Sequence, residues 1–300
     1  MNTNRRLTTL YRNTERIRFN NNSKFILFSD VHRGDNSLSD EFAHNQNIYY
    51  YALNYYYKNG FTYIEVGDGD EMWEYSQYRH LLNAHSDVYL LIKKFYDDNR
   101  LIMLFGNHNM YFKHDYFVKN NLYKFYDEYQ EKERKLFHGI EVHESIILNH
   151  EESNGEIFIT HGHQGDLIND QIWFPTMLVN RYFWRFLHII GFQNPASPAK
   201  NREKRHKIEK NYTKWIKLNK VMMIIGHTHR PKFPAKGEES YFNTGCCVHP
   251  RNITGIEIDN GKIALVDWRI RPNKEGVLSI AKRYIKGPEN VVNFMYLNEE

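Results

Sequence analysis

Cysteine is almost missing from this 300-residue chain: Cys246 and Cys247 are its only two, and they are adjacent. Neighbouring cysteines cannot close an ordinary loop-spanning bridge, which excludes a disulfide-stapled secreted scaffold and points to a reducing, cytoplasmic compartment. Long apolar runs are missing too. The most apolar stretch, Ile172 to Phe192, is broken by Pro175, Asn180, Arg181, Arg185 and His188, so no spanning helix is expected. The first 22 residues carry five arginines and no apolar segment, unlike a secretory leader. Nor does one sign of charge dominate: Lys+Arg 40 against Asp+Glu 36 gives +4, too little by itself to imply nucleic-acid binding. With 41% hydrophobic residues, disordered and fibrous classes are excluded as well.

Histidine is abundant, at 16 residues. That count invites a search for metal or proton-transfer sites. Five short apolar runs read as strands: Phe25 to Ser29, Phe61 to Val66, Leu101 to Phe105, Glu156 to Thr160 and Val221 to Ile225. Helical stretches, Asp40 to Lys58 and Tyr78 to Asn99, separate the first three. This alternation predicts an α/β architecture. The tail, with strands over Glu239 to Asn243, Ile253 to Asp259 and Ile263 to Arg269 and a type I′ turn at Asn260-Gly261, is expected to be antiparallel, and Val291 to Glu300 to be a loosely held end.

Each of the five strands runs straight into metal-ligand chemistry: Asp30-Val31-His32, Gly67-Asp68, Gly106-Asn107-His108, His161-Gly162-His163 and Gly226-His227-Thr228-His229. Carboxyl ends of strands converge on one crevice in open α/β sheets, and on an extended chain Asp30 with His32, or His227 with His229, would point the same way. Mixed carboxylate, imidazole and amide donors suit Mn, with Fe or Zn as alternatives, better than calcium. Seven donors exceed the needs of one ion. Two divalent ions sharing a carboxylate would use them, clamp a phosphate and acidify a bridging water.

This ordered motif set resembles the calcineurin-like metallophosphoesterase family. The resemblance runs from Asp30 to His229, about two thirds of the chain. It implies a four-layer sandwich of two mixed β-sheets flanked by helices. Asp30, His32 and His229 would hold one metal, Asn107, His161 and His227 the other, and Asp68 would bridge them. His108 would be the catalytic residue, contacting the phosphate and protonating the leaving oxygen. Two positions depart from the family pattern. Asn109 stands where an acid usually follows the Gly-Asn-His motif, removing a carboxylate that would orient the imidazole. Glu71, within Gly67 to Glu74, stands where the Gly-Asp-x-x-Asp-x-Trp-Glu form of one branch has Asp. That form, and the placement of an insertion, look like the branch containing UDP-2,3-diacylglucosamine pyrophosphatase, although that branch enzyme carries Arg at the place of His108.

The implied function is two-metal hydrolysis of a phosphomonoester, phosphodiester or pyrophosphate, with a metal-bridging hydroxide as nucleophile. One domain over 1–300 is expected, its core at about 23–165 and 221–270, with residues 166–220 as a helical cap insertion. In the cap, Arg181, Arg185 and His188 fall on one narrow face of an otherwise apolar stretch, and residues 200–220 carry nine Lys or Arg against two Glu. An apolar helix beside a basic one would suit a phosphorylated small molecule or a lipid-linked substrate, and peripheral contact with an anionic inner membrane surface. The blander reading makes the first a packing helix and the second a solvated face. A metal-binding interaction protein of weak activity and a nucleic-acid phosphodiesterase are the functional alternatives. His163, Asp70, Glu71 and Glu74 border the motifs without an assigned role.

Overall fold

The computed structural model describes residues 2–128, 130–184 and 201–297. Its helices are Thr3–Asn13 (α1), Gln46–Lys58 (α2), Tyr78–Ala84 (α3), Ser86–Asp97 (α4), Asp115–Leu122 (α5), Trp173–Val179 (α6) and Arg202–Asn219 (α7). The strands are Arg16–Phe19 (β1), Phe25–Phe28 (β2), Thr62–Val66 (β3), Leu101–Leu104 (β4), Lys124–Asp127 (β5), Lys132–Lys135 (β6), Val142–His143 (β7), Ser145–His150 (β8), Glu156–Thr160 (β9), Met222–Ile225 (β10), Tyr241–Asn243 (β11), Asn252–Asp259 (β12), Lys262–Pro272 (β13) and Leu278–Asn290 (β14). Apart from the small β5–β6 ribbon they form a five-stranded sheet, β1-β8-β9-β10-β11, and a seven-stranded sheet, β14-β13-β12-β2-β3-β4-β7. Both sheets mix parallel and antiparallel neighbours.

Period-two alternation in the central strands explains the layering. In β2, Phe25 and Leu27 enter the core between the sheets, whereas Ile26 and Phe28 face α2 and α4 through Tyr49, Leu53, Ile92 and Phe95. In β10, Met222 and Ile224 face inward while Met223 and Ile225 meet Leu7 of α1 and Trp215 of α7. A strand buried on both faces reads as a continuous apolar run. The result is helices, sheet, sheet, helices: the four-layer sandwich expected from the motifs.

Several boundaries differ from expectation. The first long helix begins at Gln46 because Asp40 Oδ1 accepts the N–H groups of Phe42 (3.0 Å) and Ala43 (3.2 Å), setting a 3₁₀ turn over Phe42–His44. The second is two helices, broken at His85, whose buried ring meets Asp40 at 2.7 Å and Gln46 at 2.9 Å. Within the tail, β12 and β13 form the antiparallel hairpin, with Asn260 and Gly261 both at positive φ. β11 instead pairs parallel with β10, because the chain crosses back between them. The end is not loose as far as it is described: Val291 and Met295 are buried in the inter-sheet core, following β14.

The described residues of 166–220, expected as a cap insertion, present two kinds of surface. α7 presents Ile208, Tyr212, Trp215 and Ile216 at helical spacing to the five-stranded sheet, and Trp215 Nε1 donates to Thr8 Oγ1 at 3.0 Å. The expected apolar helix appears as α6 and a wider-wound turn over Asn180–Trp184. Arg185, Phe186, Leu187 and His188 lie outside the described residues. Among the described residues, no helix is long and apolar enough to cross a membrane.

Candidate metal centre

Five loops leave the carboxyl ends of β2, β3 and β4 in one sheet and β9 and β10 in the other. They are laced together by backbone bonds. Asp30 N donates to Gly67 O (3.1 Å), His32 N to Asp68 O (2.9 Å), Arg33 N to Gly69 O (3.0 Å) and Gly226 N to His161 O (2.8 Å). Parallel pairing thus continues past the strands into the loops that carry the polar groups.

The local backbone is not extended. Asp30, His32 and Asp68 have φ near 51°, His227 64° and His229 54°. Left-handed conformations disfavour residues with a Cβ by about 1 kcal/mol or more each, and surrounding structure must impose them. The i, i+2 pairs do converge, but through alternating left-handed turns and not through an extended chain. Gly106 shows how closely the loops approach. A Cβ there would overlap Asp68 Oδ1 and lie 2.7 Å from both the Asp68 backbone nitrogen and His161 Cδ2.

Two neighbouring groups of donors result, each with its atoms within 4.8 Å of one another, Asp30, His32 and His229, and Asp68, His161 and His227; His32, Glu71 and His108 form a third that meets the same limit. Asp30 Oδ1 is 3.1 Å from His229 Nε2 and 3.9 Å from both His32 Nε2 and His161 Nε2, and Asp68 Oδ2 is 2.9 Å from His161 Nε2. His32 Nε2 and His229 Nε2 approach to 3.3 Å. Despite this crowding, Asp30 Oδ1, Asn107 Oδ1, His161 Nε2 and His227 Nε2 are buried without a well-aligned hydrogen bond. Leaving such atoms unpaired is costly, and a bound cation would satisfy them. The donor set passes that test for divalent ions. The remaining atoms are anchored elsewhere: Asp30 Oδ2 accepts Ser29 Oγ–H and His227 N–H (2.9 Å), Asp68 Oδ1 accepts His108 N–H (2.8 Å), and His161 Nδ1 donates to Val66 O (2.9 Å). Fixing one ring nitrogen leaves the other as the ligand atom.

Charge pairing balances the site: burial would lower His161 and His229, but Asp68 and Asp30 outweigh it and raise both, and a bound ion would displace the protons held there. Burial alone would raise the Asp30 and Asp68 carboxyls, but facing histidines, His229 for Asp30 and His161 for both, outweigh it and hold both below the usual carboxylate range. His227 is pushed down to about 3 by burial and then by His161, so its ring is a neutral donor. His163 is driven in the same direction by burial, His161 and His227, and neither of its ring nitrogens finds a hydrogen bond.

Beside the two groups, His108 is part-exposed at the mouth, its ring stacked on Trp73 at 4.3 Å and 21° and edge-on to His32 at 4.6 Å. Of the three acids left unassigned by sequence, Glu71 contacts both His32 (2.7 Å) and His108 (2.8 Å). Asp70 turns away to Arg33, which sequence reasoning missed. That wholly buried guanidinium joins Glu65 (2.7 and 2.8 Å) and Asp70 (2.8 Å), with Tyr63, Tyr78 and Tyr89 bonding the carboxylates. The signal was an arginine directly after the strand-end motif Asp30-Val31-His32. Arg181 donates to the carbonyls of Met72 (2.7 Å) and Trp73 (3.1 Å), seating the turn over Asn180–Trp184 on the loop whose Trp73 ring stacks on His108.

No protein-family model and no curated protein matches the chain. Among solved structures it is similar to Vps29 of Chaetomium thermophilum, at 9% identity over 88% of this chain and 96% of that one, with a TM-score of 0.39. A cold-active protein-tyrosine phosphatase of a psychrophilic Shewanella is 11% identical over 91% and 83%, TM-score 0.36. A putative 5′-nucleotidase from Staphylococcus aureus is 13% identical over 92% and 55%, TM-score 0.33. Similarity this remote carries no argument, and the fold assignment rests on the sheets and layers themselves.

Proposed function

We propose that the protein is a phosphoesterase that works with two divalent metal ions. The observation that supports this most is the pair of adjacent donor groups, in which Asp30 Oδ1, His161 Nε2 and His227 Nε2 are buried without a hydrogen bond. Asp30, His32 and His229 would hold one ion, Asn107, His161 and His227 the other, with Asp68 shared. Their oxygen and imidazole donors suit Mn²⁺, with Fe or Zn as alternatives. Bound there, the ions supply Lewis-acid polarisation of a phosphoryl group and ease deprotonation of water.

The chain's own part is positional and acid–base. Asp30 and Asp68 stay ionised and fix the histidines around them. His108 would give a proton to the oxygen leaving phosphorus. The non-reacting part of the substrate would lie against the insertion, where Phe174, Val179, Tyr182 and Phe183 are exposed. A phosphorylated compound with an apolar portion fits that surface best.

The test is hydrolysis of aryl phosphomonoesters and diesters with Mn²⁺, alongside metal stoichiometry by calorimetry, for wild type and Asp68→Asn. Turnover by wild type and a loss of about 10²-fold or more in the variant is expected. Two bound ions without turnover of any phosphoester would favour a metal-binding interaction protein instead.

A further inference from the structure

The outer layer over the five-stranded sheet contains α1 and α7 side by side, with Tyr11 edge-on to Trp215 at 5.6 Å and Thr8 accepting the indole N–H at 3.0 Å. Both helices spend their apolar residues on the sheet: Leu7 of α1, and Ile208, Tyr212, Trp215 and Ile216 of α7, are buried. What faces outward is of one sign. Lys207, Lys210, Lys214 and Lys217 recur every three or four residues opposite the buried stripe of α7 and are all exposed, a row about 15 Å long. Arg5 and Arg12, two turns apart on α1, are exposed as well. The acids nearby are already engaged: Glu144 and Asp170 with Arg6, Glu156 with Arg16, Asp166 with Lys204 and Glu209 with Arg230. Among the described residues, the six outward cations pair with no acid, and Glu203 is the one exposed acid of the two helices. Together α1 and α7 carry ten Lys or Arg against two Glu, which exceeds the chain's formal +4 and leaves the rest of the molecule net acidic.

We propose that this two-helix face binds the phosphate backbone of a nucleic-acid duplex, an inference that does not depend on the phosphoesterase reading. Lysines and arginines set against phosphates release the counterions condensed there, and that release drives binding. The chemistry of the face selects the duplex over other polyanions. A single strand is held by exposed rings that stack its bases, whereas Tyr11, Tyr212 and Trp215, the aromatic residues of the two helices, pack into the layer beneath. An anionic membrane is gripped by an apolar face as well as by charge, yet Leu218 is the one large apolar side chain exposed on either helix. A duplex keeps its bases stacked inside and presents charge alone, which is what this face can meet. Backbone contacts carry no base identity, so affinity should follow salt and not sequence.

A labelled DNA duplex of about 20 base pairs is titrated with the full chain by fluorescence anisotropy, from about 50 to about 200 mM salt. A single strand of the same length and vesicles of phosphatidylglycerol in phosphatidylcholine are run beside it. Expected are micromolar or tighter binding at the lower salt, equal for two unrelated sequences, and a log–log salt slope of about −4 to −5, since each phosphate neutralised contributes about −0.9. Glutamine at Lys207, Lys210, Lys214 and Lys217 together should weaken binding at least about 30-fold at the lower salt and flatten the slope by about 3, and Lys210→Gln alone should flatten it by about 1. Glutamine at Lys119, Lys124, Lys132 and Lys135, all exposed around the β5–β6 ribbon, removes the same charge elsewhere and should change affinity less than about threefold. Melting curves confirm that each variant is folded, and the single substitution carries the test if the fourfold one is not. No duplex binding at the lower salt, equal losses in the two fourfold variants, or tighter binding to vesicles or to the single strand than to the duplex would overturn the proposal.

Discussion

Replacing Arg33 by methionine tests the ion network that holds the site's loops. Arg33 and its partners Glu65 and Asp70 are 0% exposed, and three guanidinium nitrogens engage the two carboxylates at 2.7–2.8 Å. Burial works against the guanidinium's charge, but Asp70 and Glu65 outweigh it, so Arg33 remains a cation facing two anions. Methionine fills most of the volume and leaves the carboxylates without their counter-charge. Removing one partner of a buried ion pair costs about 3–5 kcal/mol. In a chain of this size that lowers the melting temperature by roughly 5–8 °C. Urea unfolding of the metal-free protein, followed by circular dichroism, measures the loss. A second variant separates charge from packing: adding Glu65→Gln and Asp70→Asn to Arg33→Met should recover part of the stability. A loss below about 1 kcal/mol, or a triple variant no more stable than the single one, would refute this account.

Two further outcomes are expected. Gly106→Ala should cost about 1–3 kcal/mol by overpacking and weaken Mn²⁺ binding by at least about tenfold in calorimetry, since the added carbon meets the Asp68 backbone, which cannot yield cheaply. His163→Phe should change the pH dependence of stability. His163 is held neutral by burial, then by His161 and His227, so its folded value lies below the unfolded 6.5. Its contribution is intact above pH 6.5 and lost as pH falls, because the unfolded chain takes up a proton that the folded one refuses. Between pH 7.5 and 5 the variant should therefore gain about 2 kcal/mol relative to wild type, and parallel curves in denaturant titrations would rule this out.

What could be read in advance depended on whether a residue's role was local. β2, β3, β4, β9 and β10 announce themselves because strands buried on both faces are short apolar runs, and their ends carry the donors. β1, with Arg16 and Arg18, and β14, mostly exposed, carry no such signal; edge strands are held by a neighbour's ladder, not by their own apolar content. Convergence of the donors was legible, but its route was not: left-handed turns at Asp30, His32, Asp68, His227 and His229 replace the extended pairs expected. The roles of Asp70 and Glu71 were indistinguishable in a row of acids. Only the fold decides which carboxylate faces Arg33 and which faces the histidines.

The donors are also drawn from two layers. Asp30, His32, Asp68 and Asn107 belong to the seven-stranded sheet, and His161, His227 and His229 to the five-stranded one. An ion held between them acts as a rivet through the sandwich, so its affinity gauges the register of one sheet upon the other. At a free concentration one hundred times its dissociation constant, such an ion adds about 2.7 kcal/mol against separation of the layers. Conversely, a shift of a few tenths of an ångström in the apolar packing beneath, among Val66, Leu104, Ile159 and Ile224, reaches the rivet's seat before it reaches the surface. Chelation and core substitution should therefore act on this protein as two handles on one coordinate.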